Sequence, residues 1–185
     1  MARLLDAVRM SGERPVRVDW RYFSLTQVNS KDDGWTVWDA PESEPARGRL
    51  AFKAAEAARR QGRFGALHMP LLEARHQARL DLDALETVEK VAAESGLDMD
   101  RFRTDLRDPG ILGSLARDHR RAVEELGVFG TPTLVFAGGP AAYVRLAKDV
   151  DPGRAMEVFD RVVAVAVGEL KILEIKRPAK PAAAS

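Results

Sequence analysis

The sequence predicts an α/β fold in which one sheet-bearing layer encloses a block of helices. Three observations predict it. Apolar and charged residues alternate from Pro15 to Phe23, the mark of a strand with one wetter face. Every periodic signal from Ala46 to Gly127 is helical. The pattern then returns to strand, turn and strand from Thr133, followed by one last helix.

The elements follow in order. Leu4, Leu5 and Val8 share one face of an opening helix that Gly12 stops. Val16, Val18, Trp20 and Tyr22 alternate with Arg17, Asp19 and Arg21 in the Pro15–Phe23 strand. A polar loop runs from Asn29 to about Pro45. Leu50, Ala51, Ala54, Ala55 and Ala58 form a helical stripe ended near Gly62, and Phe64, Leu67, Leu71 and Leu72 form a second. Asp83-Ala84-Leu85-Glu86 resembles a capping box opening a third helix that ends at Gly96. Asp98 caps a fourth through Leu106. Asp108-Pro109 reads as a cap with proline at the first helical position of a fifth helix, stopped by Gly127. Thr133–Ala137 and Ala141–Leu146, joined by Gly138-Gly139-Pro140, read as a hairpin. Asp151-Pro152 opens the last helix, and Leu170–Ile175 reads as a further short element. The segment 176–185 has the composition of a disordered tail.

Composition narrows the function. The 185 residues suit one domain, or one domain carrying an insertion. Such a chain buries roughly 70% of its unfolded surface and needs no staple. The net charge of +1 gives no global pull toward nucleic acid or an anionic membrane. Cysteine is absent. These residues therefore hold no disulfide, thiolate zinc site, iron–sulfur cluster or cysteine nucleophile. The longest apolar run, Val162–Val167, is far short of the roughly 20 residues a spanning helix needs. The first residues lack the apolar stretch of a signal peptide, which makes a cytoplasmic location the expectation.

Few motifs carry chemistry. Glu73 and His76 form a single E-x-x-H on one helix face, where a di-metal bundle would need two such pairs and two more carboxylates. His68 and His119 read as packing residues, and no metal site is expected. There is no G-x-S-x-G elbow. Gly138-Gly139 precedes a strand rather than a helix, so it reads as a hairpin turn and not a phosphate loop. Arg59-Arg60 and Arg120-Arg121 read as solvated helix faces. Trp35 and Trp38 either line a ligand site or fold back over the core. No cofactor is indicated.

One segment is more specific. Glu125-Leu126-Gly127-Val128-Phe129-Gly130-Thr131-Pro132-Thr133 runs from a helix end into a strand. Pro132 gives no amide hydrogen to a ladder and belongs at the strand entrance. On base rates alone its peptide bond is trans, since about 5–6% of such bonds are cis.

The segment resembles the cis-proline loop of the DsbA-like thioredoxin-fold family. The resemblance extends to Val18–Leu25 with Val28-Asn29, which is similar to the second-strand segment of FrnE-type members. Leu71–His76 resembles the helical insertion, and Asp118-His119, Ala122 and Leu126 resemble the helix leading into the loop. It covers about residues 3–170. The resemblance implies a discontinuous thioredoxin-like domain, 1–45 with 128–175, around a helical insertion, 46–127. It implies thiol–disulfide exchange (dithiol–disulfide isomerase chemistry included), and Gly130, Thr131 and cis-Pro132 as the substrate loop. A peptide or low-molecular-weight thiol would be the partner. Kappa-type glutathione transferases and 2-hydroxychromene-2-carboxylate isomerases are relatives. The family pattern places a strand and a C-x-x-C or single Cys/Ser before the first helix, and this chain matches neither. Three readings follow: an oxidoreductase-like protein inactive in dithiol exchange as written, a non-catalytic peptide- or thiol-binding module, or a glutathione-dependent isomerase or transferase. A sheet short of its first strand also makes a homodimer an expectation.

Overall fold

The computed structural model describes residues 1–44, 46–147 and 151–176. The order is α1 (Ala2–Ser11), α2 (Leu25–Val28), α3 (Arg49–Arg60), α4 (Phe64–His76), α5 (Leu85–Glu94), α6 (Met99–Leu106), α7 (Gly113–Glu124), β1 (Thr133–Val135), β2 (Ala141–Tyr143) and α8 (Ala155–Val163). The chain divides into two compact units. One is formed essentially by Arg17–Thr131, the other by Arg3–Val16 with the residues from Pro132 onward.

In the Arg17–Thr131 unit the helix α3 is central, packing against α4, α5 and α6. Its sequence explains why. Ala54, Ala57 and Ala58 are fully buried, and alanines three and four residues apart leave room for neighbouring helices to approach. Leu67 from α4, Val88 from α5, Phe102 from α6 and Leu115 from α7 fill the surrounding space. Residues 29–44 fold back over this core, bringing Val37 fully inside and leaving Trp35 and Trp38 packed against it. Arg49 holds the loop in place. Its guanidinium donates to the carbonyls of Ala40 (3.0 Å), Pro41 (2.9 Å), Glu42 (3.2 Å) and Glu44 (2.9 Å).

In the second unit, β1 and β2 pair antiparallel with Thr133 opposite Tyr143 and Val135 opposite Ala141. Leu4, Leu5 and Val8 of α1 and Ala155 and Phe159 of α8 are its buried apolar residues among those described. Gly12 ends α1 at φ +67°, a conformation glycine reaches without the Cβ penalty. Arg14 pairs with Asp160 at 2.5 Å. The Asp151 side chain caps the 3₁₀ turn Pro152–Arg154 that leads into α8.

Several expectations are corrected. Pro15–Phe23 is not a strand, although burial does alternate from Val16 to Tyr22. Its backbone partners are side chains instead of a neighbouring strand. The Asp108-Pro109 start is displaced: the Asp108 carboxylate closes a turn onto the Gly110 amide (2.8 Å), and α7 begins at Gly113. No capping box opens α5, whose N-cap is Ala84; the Asp83 carboxylate accepts from Gly48 N–H instead. Leu170–Ile175 forms neither helix nor strand and is exposed. Of the expected tail, 177–185 lies outside the described residues. Among the described residues no helix is long and apolar enough to cross a membrane.

Candidate functional site

The Gly130–Pro132 loop is prepared by the end of α7. Gly127, at φ +63°, reverses the chain so that Val128 N–H returns to Ala122 O at 2.8 Å and Val128 is buried. Phe129 then points outward at 71% exposure. Gly130 is buried, Thr131 is exposed and Pro132 is half-buried. The Pro132 carbonyl accepts the Val144 amide at 3.0 Å, which places the proline at the entrance of β1. Pro132 faces Val144 in a hydrogen-bonded pair but has no N–H to return to the Val144 carbonyl, so the ladder ends there with one bond instead of two.

Further up α7, two consecutive side chains grip the segment before α2. The Asp118 carboxylate accepts Tyr22 N–H at 3.0 Å and Arg21 at 3.4 Å. Nδ1 of His119 accepts Ser24 N–H at 3.2 Å. Arg59 adds a third hold, donating to the Trp20 carbonyl at 3.1 Å. An acceptor Nδ1 must be unprotonated, and burial holds the His119 pKa below its ordinary value, in the same direction. Tyr22 donates to Glu56 (3.0 Å), whose other oxygen accepts from Ser114 (2.9 Å). Burial raises the Tyr22 pKa, so the phenol stays a donor.

The basic pairs are not solvated faces throughout. Arg59 lies over the rings of Phe64 (4.2 Å) and Tyr22 (5.1 Å), and Arg60 pairs with Asp105 and Asp108. Arg120 lies over Trp38, and Arg121 alone keeps a surface pairing, with Glu125. Of the histidines, His119 is buried, and His68 stacks on Phe64 and against Trp20. Burial, and then the charge of Arg59, lowers the His68 pKa. Glu73 and His76 are both exposed. No group of three or more His, Asp or Glu able to hold a metal occurs among the described residues. The α7 grip was missed from periodicity. Asp118-His119 stood out in the sequence as a resemblance, but nothing there showed what the pair holds.

The family model described as a DSBA-like thioredoxin domain matches residues 37–162, about two thirds of the chain. The chain belongs to the DSBA-like thioredoxin domain family. The match takes in the helical block, the proline loop, the hairpin and most of α8 as one DSBA-like unit of sequence. A curated protein similar to this chain is the Na(+)/H(+) antiporter NhaA 3 of Salinispora tropica, 34% identical over 123 residues. That likeness covers 66% of this chain and 16% of the antiporter, so the chain spans about a sixth of that relative's length.

Proposed function

We propose that these residues act as the substrate-docking part of a DSBA-like protein and carry no dithiol chemistry of their own. One observation carries the reading: a DSBA-like thioredoxin match that takes in residues 130–132 falls in a sequence with no cysteine. Disulfide exchange proceeds by thiolate attack through a mixed disulfide. Without a thiol, what remains is recognition. Exposed Thr131 and Phe129, which precede β1 in the sequence, suit an extended peptide or a small thiol compound, docked by backbone pairing and an aromatic contact. The proposed site is Gly130, Thr131 and Pro132, with Phe129 as its apolar neighbour.

The test pairs two measurements on the purified chain. Insulin reduction by dithiothreitol should run at the rate of a heat-treated control. A fluorescent library of extended peptides should bind, with Phe129→Ala and Thr131→Pro each weakening binding at least fivefold. Turnover of insulin above control would overturn the non-catalytic half. Peptide binding indifferent to both substitutions would overturn the docking half.

A second reading has the curated likeness behind it. The matching part is a small fraction of a much longer protein, and service within a larger polypeptide is the second reading we propose. Ion exchange is said of that relative only, and among the described residues no helix is long and apolar enough to cross a membrane.

A further inference from the structure

The Arg17–Thr131 unit holds an open cavity of about 630 Å³ between Glu42, Glu44, Ala46 and Arg47, α3, α5 and the end of α6. This volume lies within the usual range for small-molecule sites, roughly 300–1,000 Å³. Leu50, Leu85 and Leu106 give it an apolar surface.

The charges around it are not equivalent. Each acid on the wall already has a donor. Glu89 is held by Arg103 through bonds of 2.8 and 3.3 Å, and Glu42 by Lys53 at 2.5 Å. Asp83 accepts Gly48 N–H, and Glu44 accepts the Trp35 indole N–H. Among the cations, Arg49 is occupied by four loop carbonyls. Arg47 and Arg107 also line the cavity, and neither guanidinium has a hydrogen bond or ion pair among the described residues. Asp83 and Glu44 accept only neutral N–H donors and keep their charge, so the wall carries five cations against four acids, a small positive excess in which Arg47 and Arg107 are the guanidiniums with open donors. A guanidinium offers two parallel N–H donors that match a carboxylate, and an adjoining apolar wall favours a ligand with a hydrocarbon body.

We propose that this cavity binds a small amphipathic monocarboxylate, its chain against Leu50, Leu85 and Leu106 and its carboxylate paired with Arg47 and Arg107. The site is separate from the Gly130–Pro132 loop and does not depend on how that loop is read.

The probe is octanoate, titrated into the full chain by calorimetry and followed by amide NMR. One octanoate should bind per chain, shifting the amides of Leu50, Leu85 and Leu106. Acetate, inorganic phosphate and octylammonium should each bind at least tenfold more weakly. The double variant Arg47→Gln/Arg107→Gln should lose at least tenfold in affinity with an unchanged melting temperature. Leu85→Asp, at a half-exposed position, should abolish binding without unfolding the chain. Equal binding of octylammonium would reduce the site to an apolar surface, and equal binding of phosphate would reduce it to a plain anion site; either result overturns the proposal. So would shifts confined to the exposed 170–175 segment, or full affinity in the double arginine variant.

Discussion

The two units differ in how they hide apolar surface. In the Arg17–Thr131 unit five helices surround a continuous core, and its large side chains Phe102, Leu67, Ile111 and Leu115 are buried almost completely. The other unit buries five apolar residues among those described and leaves Met10, Val135, Tyr143, Leu170 and Leu173 exposed, Leu173 at 93%. Burial of apolar area supplies most of the favourable free energy of folding. The helical unit is therefore where stability concentrates, and the hairpin unit is where backbone opening should be easiest.

The largest effect that tests this contrast is Phe102→Ala. Deleting a fully buried ring should cost about 3–5 kcal/mol. Val135→Ala, on the half-exposed hairpin, should stay within roughly 0.5 kcal/mol. Urea unfolding read by circular dichroism gives both values. Comparable costs at the two positions would erase the difference drawn between the units, as would hairpin amides that exchange more slowly than those of α3.

A smaller loss is expected at the α7 grip. Asp118→Ala leaves the Tyr22 amide without its acceptor and should cost roughly 1–3 kcal/mol. Asp118→Asn retains a carbonyl oxygen and should recover most of it. Hydrogen exchange at Tyr22 should quicken in the alanine variant. Unchanged exchange there would mean that Asp118 does not hold the segment.

The least effect is pH dependence. Burial depresses the pKa of both His119 and His68 in the fold, below the ordinary value of 6.5. The unfolded chain then binds more protons in the window between the folded values and 6.5. Stability from the neutral imidazoles is fully present above 6.5 and is lost as pH falls through the folded values. Urea midpoints at pH 7.5 and 5.5 should differ accordingly, with the difference reduced in His119→Gln. A midpoint that rises on acidification over this interval would contradict the buried neutral histidines.

The helical unit was largely legible because amphipathic periodicity and caps are local. The stripes of α3 and α4, the Asp98 cap and the Gly12 stop all appear where the sequence put them. The Asp108 carboxylate was legible as a local acceptor but not in its use, since the same side chain can cap a helix or close a turn. Pro15–Phe23 teaches more. Its period of two was correct as a burial pattern and wrong as evidence of a ladder. Alternation reports that one face packs, whereas pairing depends on what stands beside the backbone. Here that neighbour is Asp118, His119 and Arg59, on helices far away in sequence. Of the proposed loop, Pro132 could be placed at the strand entrance from its chemistry alone, while the burial of Gly130 and the outward turn of Phe129 depend on the packing of Val128.

The four carbonyls around Arg49 have a consequence of their own. Oxygens converging from a short loop are how proteins and small ionophores cage a metal cation. In this loop the captive ion is a side chain, tied by its own backbone to the first turn of α3. Such an ion cannot be diluted away, chelated or exchanged for another from solution. The carbonyls of the 40–44 loop therefore need no ion from solution, and of the holds on that loop only the Lys53–Glu42 ion pair should weaken as salt rises.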